Sequence, residues 1–480
     1  MAKIKQLEQE NPDTEKQIHK RPERWLGVRH IQMTLLCLMM GIAYGQRVNL
    51  SVGIVAMTDK NTNPNENIPV YNWTNQNVIL SAFFWVYFIP QIGAGQAAER
   101  FGAKWILVGT MLLSSVASIL IPPLAAFGSW TVILCRGIQG FSQGSVFPCC
   151  TYLIGKWAPA PELSTIVAFV SIGPQVGIAA SMSLTGVMSA GKYGWPLAFY
   201  TSGCLGLLWV VVYIILGSNA PHEHKDITPA EQHYIMSTLG NDNVDEPRST
   251  PWKHMVLSLP VWAILVSNIC SDWGLYTCLT EIPTYMNYVF GINIDDNGLV
   301  SALPYIANTI LTLLFGVATD YIINKQWVSL TVGRKIANTI GFIVPGVAML
   351  VLGLYQENTT SLLAIILLVL AGGVSAASTA GFMFNHLDLS PVYAGTIMGI
   401  TNSIANALSI PSPLLVGVFV KDNTNAGQWS IVFYFTAGIY FLGGLFFLVF
   451  ATGERQGWNY YDKQQKKGDK ESAAEGHLCE

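Results

Sequence analysis

The sequence predicts an all-α membrane protein, with twelve transmembrane helices in two pseudo-symmetric six-helix bundles. Composition is the first observation: 51% of the 480 residues are hydrophobic and 11% are charged, whereas soluble proteins average about 25% charged residues. The second is a series of twelve apolar segments, each near the length that crosses a bilayer. The third is a single long polar stretch after the sixth segment, which indicates two repeated bundles.

Hydropathy places each element along the chain. The predicted spans, in order, are 31–57, 78–98, 104–125, 130–153, 164–188, 196–217, 257–287, 298–319, 335–355, 362–384, 394–419 and 430–452. They define five regions: a cytoplasmic N-terminal tail (1–30), an N-terminal bundle (31–217), a cytoplasmic linker (218–256), a C-terminal bundle (257–452) and a cytoplasmic C-terminal tail (453–480).

The distribution of positive charge predicts the orientation. Lysines and arginines are frequent in the connections on the side of the two termini, and few lie in the connections on the other side. Because cytoplasmic loops carry the excess of these residues, we expect both termini in the cytoplasm. Two N-glycosylation sequons, beginning at Asn72 and Asn358, fall in loops that this topology places on the opposite side.

A short charged pattern occurs in both halves. Between spans two and three, a glycine is followed by Glu99 and Arg100, and between spans eight and nine another glycine is followed by Asp320 and, after a longer loop, by Arg334. An acid near a helix end can pair with the base or with a neighbouring helix and hold one conformation closed. One copy would suit an ordinary charged turn, whereas two copies favour a gating role.

Two arginines lie inside predicted spans. Arg136 shares a helix face with Gln139 and Gln143, and Arg47 shares one with Tyr44. An arginine at the centre of a membrane helix costs at least about 2.5 kcal/mol, so each must face a protein interior or a watery cavity. Arg136 is either a structural residue paired with a carbonyl or carboxylate, or part of an anion site. Arg47 is either a ligand of the anion or a member of a gating ion pair.

Several stretches resemble one branch of the major facilitator superfamily, the anion/cation symporters that include sialin, the vesicular glutamate transporters and the type I sodium–phosphate cotransporters. These stretches are 47–57, 81–91, 156–164, 283–286, 385–388 and 453–458, together with the repeated charged pattern. The resemblance runs nearly from end to end, and it is strongest for a cotransporter of inorganic phosphate. It implies the major facilitator fold for the predicted twelve helices.

The resemblance also implies where the site lies. Spans one and four line the central cavity of that fold, so Arg47 and Arg136 are expected to converge on an oxyanion, which a guanidinium binds through a planar fork. Three tyrosines are candidate secondary donors to the substrate: Tyr44, Tyr87 and Tyr276.

Coupling is less determined. Sialin-like relatives carry glutamates where this chain has Gln139 and Gln143, and an amide cannot titrate, which favours coupling to sodium or to the membrane potential. Asp272 and Glu281 in span seven are alternative acids, so proton coupling remains open.

We therefore expect a secondary active transporter of inorganic phosphate or an organic anion, working by alternating access as a sodium-coupled or potential-driven symporter. The alternatives are a proton-coupled, sialin-like transporter of sialic acid or an acidic amino acid, and a non-transporting receptor or a channel on the same fold. The expected partners are a small anion and the lipid bilayer, with Na⁺ or H⁺ as the coupling ion and a functional monomer. We expect no cofactor, metal site or nucleic acid.

The sequence contains no HExxH motif and no phosphate-binding loop, and its one match to GxSxG, at 140–144, lies inside predicted span four rather than at a strand-to-helix turn, so we do not expect an enzyme. Neither tail contains a convincing acidic dileucine signal, which favours the plasma membrane over a lysosomal or vesicular membrane. The identity of the anion is left open.

Overall fold

The computed structural model describes residues 27–58, 68–73, 75–189, 191–239, 250–290, 294–354, 360–383, 385–409, 419–422 and 425–460. Within these ranges the chain forms helices and connecting segments and contains no β-strand. The α-helices are α1 (Val28–Thr58), α2 (Gln76–Tyr87), α3 (Ile89–Phe101), α4 (Lys104–Ala125), α5 (Ser129–Gln143), α6 (Val146–Trp157), α7 (Leu163–Ser189), α8 (Trp195–Leu216), α9 (Pro229–Leu239), α10 (Trp252–Val256), α11 (Leu259–Phe290), α12 (Ile294–Asn324), α13 (Leu330–Leu354), α14 (Ser361–Val374), α15 (Asn385–Leu389), α16 (Ala394–Ser409) and α17 (Ala426–Phe450).

The predicted all-α membrane fold is confirmed. Nine helical segments of the described chain are long and apolar enough to cross a bilayer, and an additional apolar helix segment is shorter, Leu259–Leu275. Large apolar side chains such as Phe127, Leu134 and Ile215 are exposed on the helices and their ends, which suits a surface surrounded by lipid. The protein is therefore a multi-pass membrane protein.

Among the described residues, three predicted spans are not single α-helices. Span ten consists of α14 followed by a π-helix at Thr379–Met383, and span two consists of α2 and α3, which meet at Phe88. Span four consists of α5 and α6, with a tight turn at Gly144 and Ser145 between them. In that turn the N–H of Ser145 donates to the carbonyl of Ser142, only three residues back, at 3.3 Å. Hydropathy detects an apolar segment long enough to cross a bilayer, but it does not detect these interruptions of the helix.

The helices group into two compact units. The first comprises Met1–Pro90 and Gly102–Asp245, and in it α1 packs against α7 and α8, α2 against α5, and α4 against α5 and α8. Its apolar core includes Leu50, Ile121 and Trp195, all with no exposed surface.

The second unit comprises Gln91–Phe101 and Glu246–Glu480. In it α13 packs against α14 and α17, α11 against α16 and α17, and α12 against α14. Its core is built around Phe342 and Phe447, which have no exposed surface. A π-helix at Thr379–Met383 follows α14.

The polar linker contributes to the start of α1. The carboxylate of Glu231, on α9, accepts hydrogen bonds from the backbone N–H groups of Val28 and Arg29, at 3.0 and 3.1 Å. The Arg29 side chain also donates to Glu231 and to Glu162. Because this carboxylate satisfies helix N–H groups, α1 begins at Val28, three residues before the predicted span.

Candidate functional site

Arg47 lies in an aromatic enclosure in the first unit. Its guanidinium carbon is 4.2 Å from the ring centre of Tyr44, 4.7 Å from that of Phe83 and 4.6 Å from that of Tyr87. Tyr44 lies on α1, as does Arg47, whereas Phe83 and Tyr87 lie one turn apart on α2. A cation over aromatic faces is stabilised by about 0.5–2 kcal/mol per ring. The three rings therefore hold a charge that the surrounding apolar helices disfavour.

Arg136 lies against the same phenylalanine. Its guanidinium carbon is 5.0 Å from the ring centre of Phe83, and only 2% of the residue is exposed. The greatest possible separation of the two guanidinium carbons is the sum of their distances to that ring centre, 4.7 and 5.0 Å. The structure thus brings Arg47 and Arg136 together around Phe83, which the sequence had not singled out.

Close approach of two helices explains this placement. A Cβ atom on Gly140 would lie 2.0 Å from the carbonyl oxygen of Phe83, and one on Gly144 would lie 2.2 Å from that of Tyr87. Only glycine admits a neighbouring backbone at this distance. Gly140 and Gly144 are one turn apart, as are Phe83 and Tyr87 on α2. The two helices therefore pack closely along this turn, and α5 places Arg136 against the Phe83 ring.

The Arg136 guanidinium has an amide rather than a carboxylate beside it. Nη1 donates to Oε1 of Gln139 at 3.2 Å. In the described part of the chain, no carboxylate oxygen lies within 4.0 Å of Arg136. The sequence explains this, because α1, α2 and α4 to α8 contain no aspartate or glutamate at all. The sequence left two interpretations of Arg136, a structural residue paired with a carbonyl or carboxylate and a part of an anion site. Among the described residues, the structural pairing with a carboxylate is excluded.

Gln139 and Gln143 point into the unit and are each 1% exposed. Nε2 of Gln139 donates to the carbonyl oxygen of Ser114 at 3.5 Å, and Nε2 of Gln143 donates to the hydroxyl of the same serine at 2.9 Å. Both amides are therefore bound to α4. Neither can exchange a proton, because an amide has no titratable group in the physiological range.

The tyrosines predicted as secondary donors separate into two sets. Tyr44 and Tyr87 both face Arg47, and Tyr87 stacks on Phe83 with 5.4 Å between ring centres. Tyr276 is on α11 in the second unit, and its side chain lies outside the described residues. The same holds for Glu281. Asp272 is also on α11 and is partly exposed.

The acids of the repeated pattern have distinct partners, both in the second unit. Glu99 accepts a hydrogen bond from the backbone N–H of Thr396, at 3.0 Å, in the first turn of α16, where the helix dipole favours an anion. Arg100 is exposed and adds a nearby positive charge. The neighbouring helix, rather than the base, is therefore the direct partner of Glu99.

In the second copy of the pattern, Asp320 is 8% exposed and lies within electrostatic range of Arg334. Arg334 itself is bound by Asp388, with Nε and Nη2 donating to the two carboxylate oxygens at 2.8 and 3.2 Å. The sequence does not reveal this pairing, because the two residues are 54 positions apart.

Of the predicted glycosylation sites, Asn72 is exposed in the segment between α1 and α2, and Asn358 lies outside the described residues. Among the described residues, no group of three or more His, Cys, Asp or Glu side chains could hold a metal ion.

Comparison with known proteins identifies the family to which the chain belongs. The profile of the Major Facilitator Superfamily matches residues 36–413. The chain is 35% identical to a Drosophila melanogaster protein named "Putative inorganic phosphate cotransporter", over 94% of this chain and 90% of that protein. It is 34% identical to Homo sapiens sialin, over 88% of this chain and 89% of the relative, and 34% identical to Homo sapiens vesicular glutamate transporter 2, over 88% and 75%. The chain belongs to the major facilitator superfamily.

Solved structures agree on the fold. A proton:xylose symporter superposes with a TM-score of 0.66 at 15% identity, covering 88% of this chain and 97% of that one. The Escherichia coli fucose:proton symporter superposes with a TM-score of 0.60 at 11% identity, covering 87% and 98%. At these identities the likeness concerns the fold alone. The relatives at 34–35% identity include a phosphate cotransporter and a glutamate transporter by name, and the chain is of their family.

Proposed function

We propose that this protein is a secondary active anion transporter, and that Arg47 and Arg136 bind the anion. The observation that carries the proposal is the Arg136 guanidinium, which is 2% exposed, donates to an amide, lies against a ring and has a second cation, Arg47, within electrostatic range. A buried cation without a counter-charge costs several kcal/mol. A bound phosphate or carboxylate supplies the missing charge through the guanidinium fork.

The substrate we propose is inorganic phosphate or an organic anion, with Tyr44 and Tyr87 as secondary donors beside Arg47. The names of the relatives, which include an inorganic phosphate cotransporter, sialin and a vesicular glutamate transporter, support this range. Tyr276 is retained as a candidate donor from the second unit.

For coupling, we propose sodium or the membrane potential. Gln139 and Gln143 are neutral amides bound to Ser114, so span four offers no proton carrier. Asp272 and Glu281 are the candidate acids for the second possibility, a proton-coupled transporter. We propose that Glu99, Arg100 and Asp320 act in gating, since each acid lies in the repeated charged pattern.

We further propose that the N-terminal (31–217) and C-terminal (257–452) bundles alternate access to the site, with both termini and the 218–256 linker in the cytoplasm. The protein is proposed to act as a monomer in the plasma membrane, with glycans on Asn72 and Asn358. Neither an enzymatic reaction nor a cofactor is part of the proposal.

Uptake of labelled phosphate into proteoliposomes containing the purified protein tests the function. We expect saturable uptake that requires a sodium gradient or an imposed potential and does not require a pH gradient. Uptake driven by a pH gradient alone would establish the proton-coupled alternative. Flux that rises with concentration without saturating would indicate a channel.

Arg47→Gln and Arg136→Gln test the site. Each removes a charge-assisted contact to the anion, and we expect at least about a tenfold loss of uptake efficiency. Lys156→Gln is the matched control, because this lysine is a cation of the same unit at the end of α6. Unchanged uptake by both arginine variants would contradict the assignment of the site.

A further inference from the structure

A continuous series of neutral hydrogen bonds joins α1, α4 and α5 inside the first unit. The hydroxyl of Ser114 donates to Oε1 of Gln46 at 2.6 Å, and Nε2 of Gln143 donates to that hydroxyl at 2.9 Å. None of the three residues is more than 1% exposed. In the proposed site Ser114 is a partner of the two glutamines, and Gln46 extends the series to α1.

Ser114 is linked to the arginine through its other polar atom. Its backbone carbonyl accepts from Gln139, whose Oε1 in turn accepts from Nη1 of Arg136. One serine on α4 therefore binds both glutamines of α5. The position of the Arg136 guanidinium depends on Gln139, and the position of Gln139 depends on the α4 backbone at Ser114, which the Ser114 hydroxyl ties to α1 and α5.

The donor and the acceptor of each hydrogen bond in this series can be assigned, because the series ends on the carbonyl oxygen of Ser202, which cannot donate. Nε2 of Gln46 lies 3.1 Å from the carbonyl oxygen of Ser202. Because a carbonyl only accepts, the nitrogen of the Gln46 amide must face Ser202, and its oxygen must face Ser114. That oxygen takes the single hydroxyl hydrogen of Ser114. The Ser114 oxygen can then only accept from position 143, where an amide nitrogen is a suitable donor and an ionised carboxylate is not.

The side chains of Gln46 and Ser115 fit between the helices because the facing residue of α8 is a glycine, Gly206. A Cβ atom on Gly206 of α8 would lie 1.9 Å from the hydroxyl of Ser115 and 2.8 Å from Nε2 of Gln46. Nε2 of Gln46 donates to that Ser115 hydroxyl at 3.1 Å. Nε2 of Gln46 is thus held by Ser115 on α4 and by Ser202 on α8, and Oε1 of Gln46 must therefore face Ser114.

We propose that Gln46 and Ser114 are positioning residues of the anion site. Their side chains tie α4 to α1 and α5, and so hold the backbone carbonyl that binds Gln139 and through it orients Arg136, and they impose a hydrogen-bond donor at position 143. The inference rests on the proposed anion transport. A purely structural network would hold the helices together without affecting how tightly the anion binds, and the two roles differ in what a substitution changes.

Ser114→Ala is the first test, with Ser118→Ala as the matched control. Ser118 is one turn further along α4, is 1% exposed, and bonds to Ser202 Oγ and the Phe199 carbonyl. Both variants lose one buried hydroxyl. Ser114→Ala keeps the backbone carbonyl that Gln139 uses and removes the hydroxyl that joins Gln46 to Gln143. Because α4 is then no longer tied to α1 and α5 at this point, we expect KM for phosphate uptake to rise about tenfold with a smaller change in kcat, whereas Ser118→Ala should leave KM unchanged.

Ser114→Thr keeps a hydroxyl, so we expect its KM to be close to that of the unsubstituted protein. Detergent-solubilised amount and unfolding temperature are measured for all three variants, so that a folding defect is separated from a binding defect. If Ser114→Ala and Ser118→Ala change KM equally, the positioning role is overturned, while the proposed transport stands. If the unsubstituted protein takes up no anion, the proposed function fails, and this inference fails with it.

The double variant Ser114→Ala/Gln143→Leu is the second test. Residues that act through one network give non-additive effects. We expect the double variant to raise KM no more than the larger of the two single variants. A KM increase equal to the product of the two single effects would show that Ser114 and Gln143 act independently and would overturn the proposed network. Gln46→Leu is expected to follow the same pattern.

Discussion

Arg334 and Asp388 form a buried bidentate ion pair in the second unit. The guanidinium donates from Nε and Nη2 to both carboxylate oxygens, and its Nη1 donates to the Ala380 carbonyl at 2.8 Å. Each side chain is 4% exposed. Asn385 donates to the same carboxylate at 3.1 Å. This arginine is internally satisfied, whereas Arg136 in the first unit has no carboxylate within reach among the described residues. Arg334 is therefore neutralised within the fold, whereas we propose that the charge of Arg136 is neutralised by the substrate.

Asp388→Asn therefore removes a buried counter-charge. Breaking a buried pair by removing one partner costs about 3–5 kcal/mol, because the remaining charge is left uncompensated. We expect a large loss of folded protein and a lower unfolding temperature in detergent, with little change in KM for the protein that does fold. Lys335→Gln, next to Arg334 and partly exposed, is the control. Normal folding with an altered KM would instead place Asp388 in the transport cycle.

Gln143→Glu is expected to make transport depend on pH. A protonated carboxyl group can donate to the Ser114 hydroxyl as the amide does, but an ionised carboxylate cannot. Uptake by the variant should therefore be retained at acidic pH and should fall as the pH rises, whereas the unsubstituted protein should show no such titration. Uptake measured over a pH series tests this. If the two proteins have identical pH profiles, the residue at position 143 does not control coupling.

Gln139→Glu should behave differently. Oε1 of Gln139 accepts from Arg136, and a carboxylate can accept there equally well and adds a negative charge. The internal carboxylate would compete with the substrate for the guanidinium, so we expect KM to rise by about tenfold or more. The measurement is uptake against phosphate concentration at a pH where the carboxylate is ionised. A lowered KM would count against anion binding by Arg136.

Gly140→Ala is expected to disturb the contact of α5 with α2. The added Cβ would lie 2.0 Å from the Phe83 carbonyl oxygen, so the two helices must separate. Overpacking of this kind costs about 1–3 kcal/mol, and the shift also moves Phe83 away from Arg136. Both the unfolding temperature and uptake should fall. Gly137→Ala, on the same helix with no atom within 4 Å, is the control, and we expect it to be neutral or stabilising. Equal behaviour of the two variants would contradict the helix contact.

Glu231→Gln is expected to release α9 from the start of α1. The carboxylate accepts from two backbone N–H groups and from the Arg29 side chain, and a neutral amide satisfies them less well. We expect faster proteolysis within the linker, at a stability cost of about 1–3 kcal/mol. Glu223→Gln, at an exposed position of the same linker, should cleave at the original rate. Proteolysis that is unchanged in Glu231→Gln would mean that the ion pair does not secure α9.

The predictability of the site differs from residue to residue. Arg47, Arg136, Gln139 and Gln143 stood out in the sequence, because a charge or an amide in an apolar segment is rare for a physical reason. Phe83 did not, because one phenylalanine in a membrane segment is indistinguishable from any other until a cation is placed against its ring. Ser114 was missed for a similar reason.

The sequence by itself determined the class of the protein. Low charge, the apolar lengths and the repeated pattern around Glu99 and Asp320 depend only on local composition and order, and they predicted the membrane fold that the structure confirms. Tertiary structure alone decided the partners: Arg334 with Asp388, Arg29 with Glu231, and the two arginines with Phe83. These contacts join residues far apart in the chain, and their energies depend on burial and distance, which hydropathy does not encode.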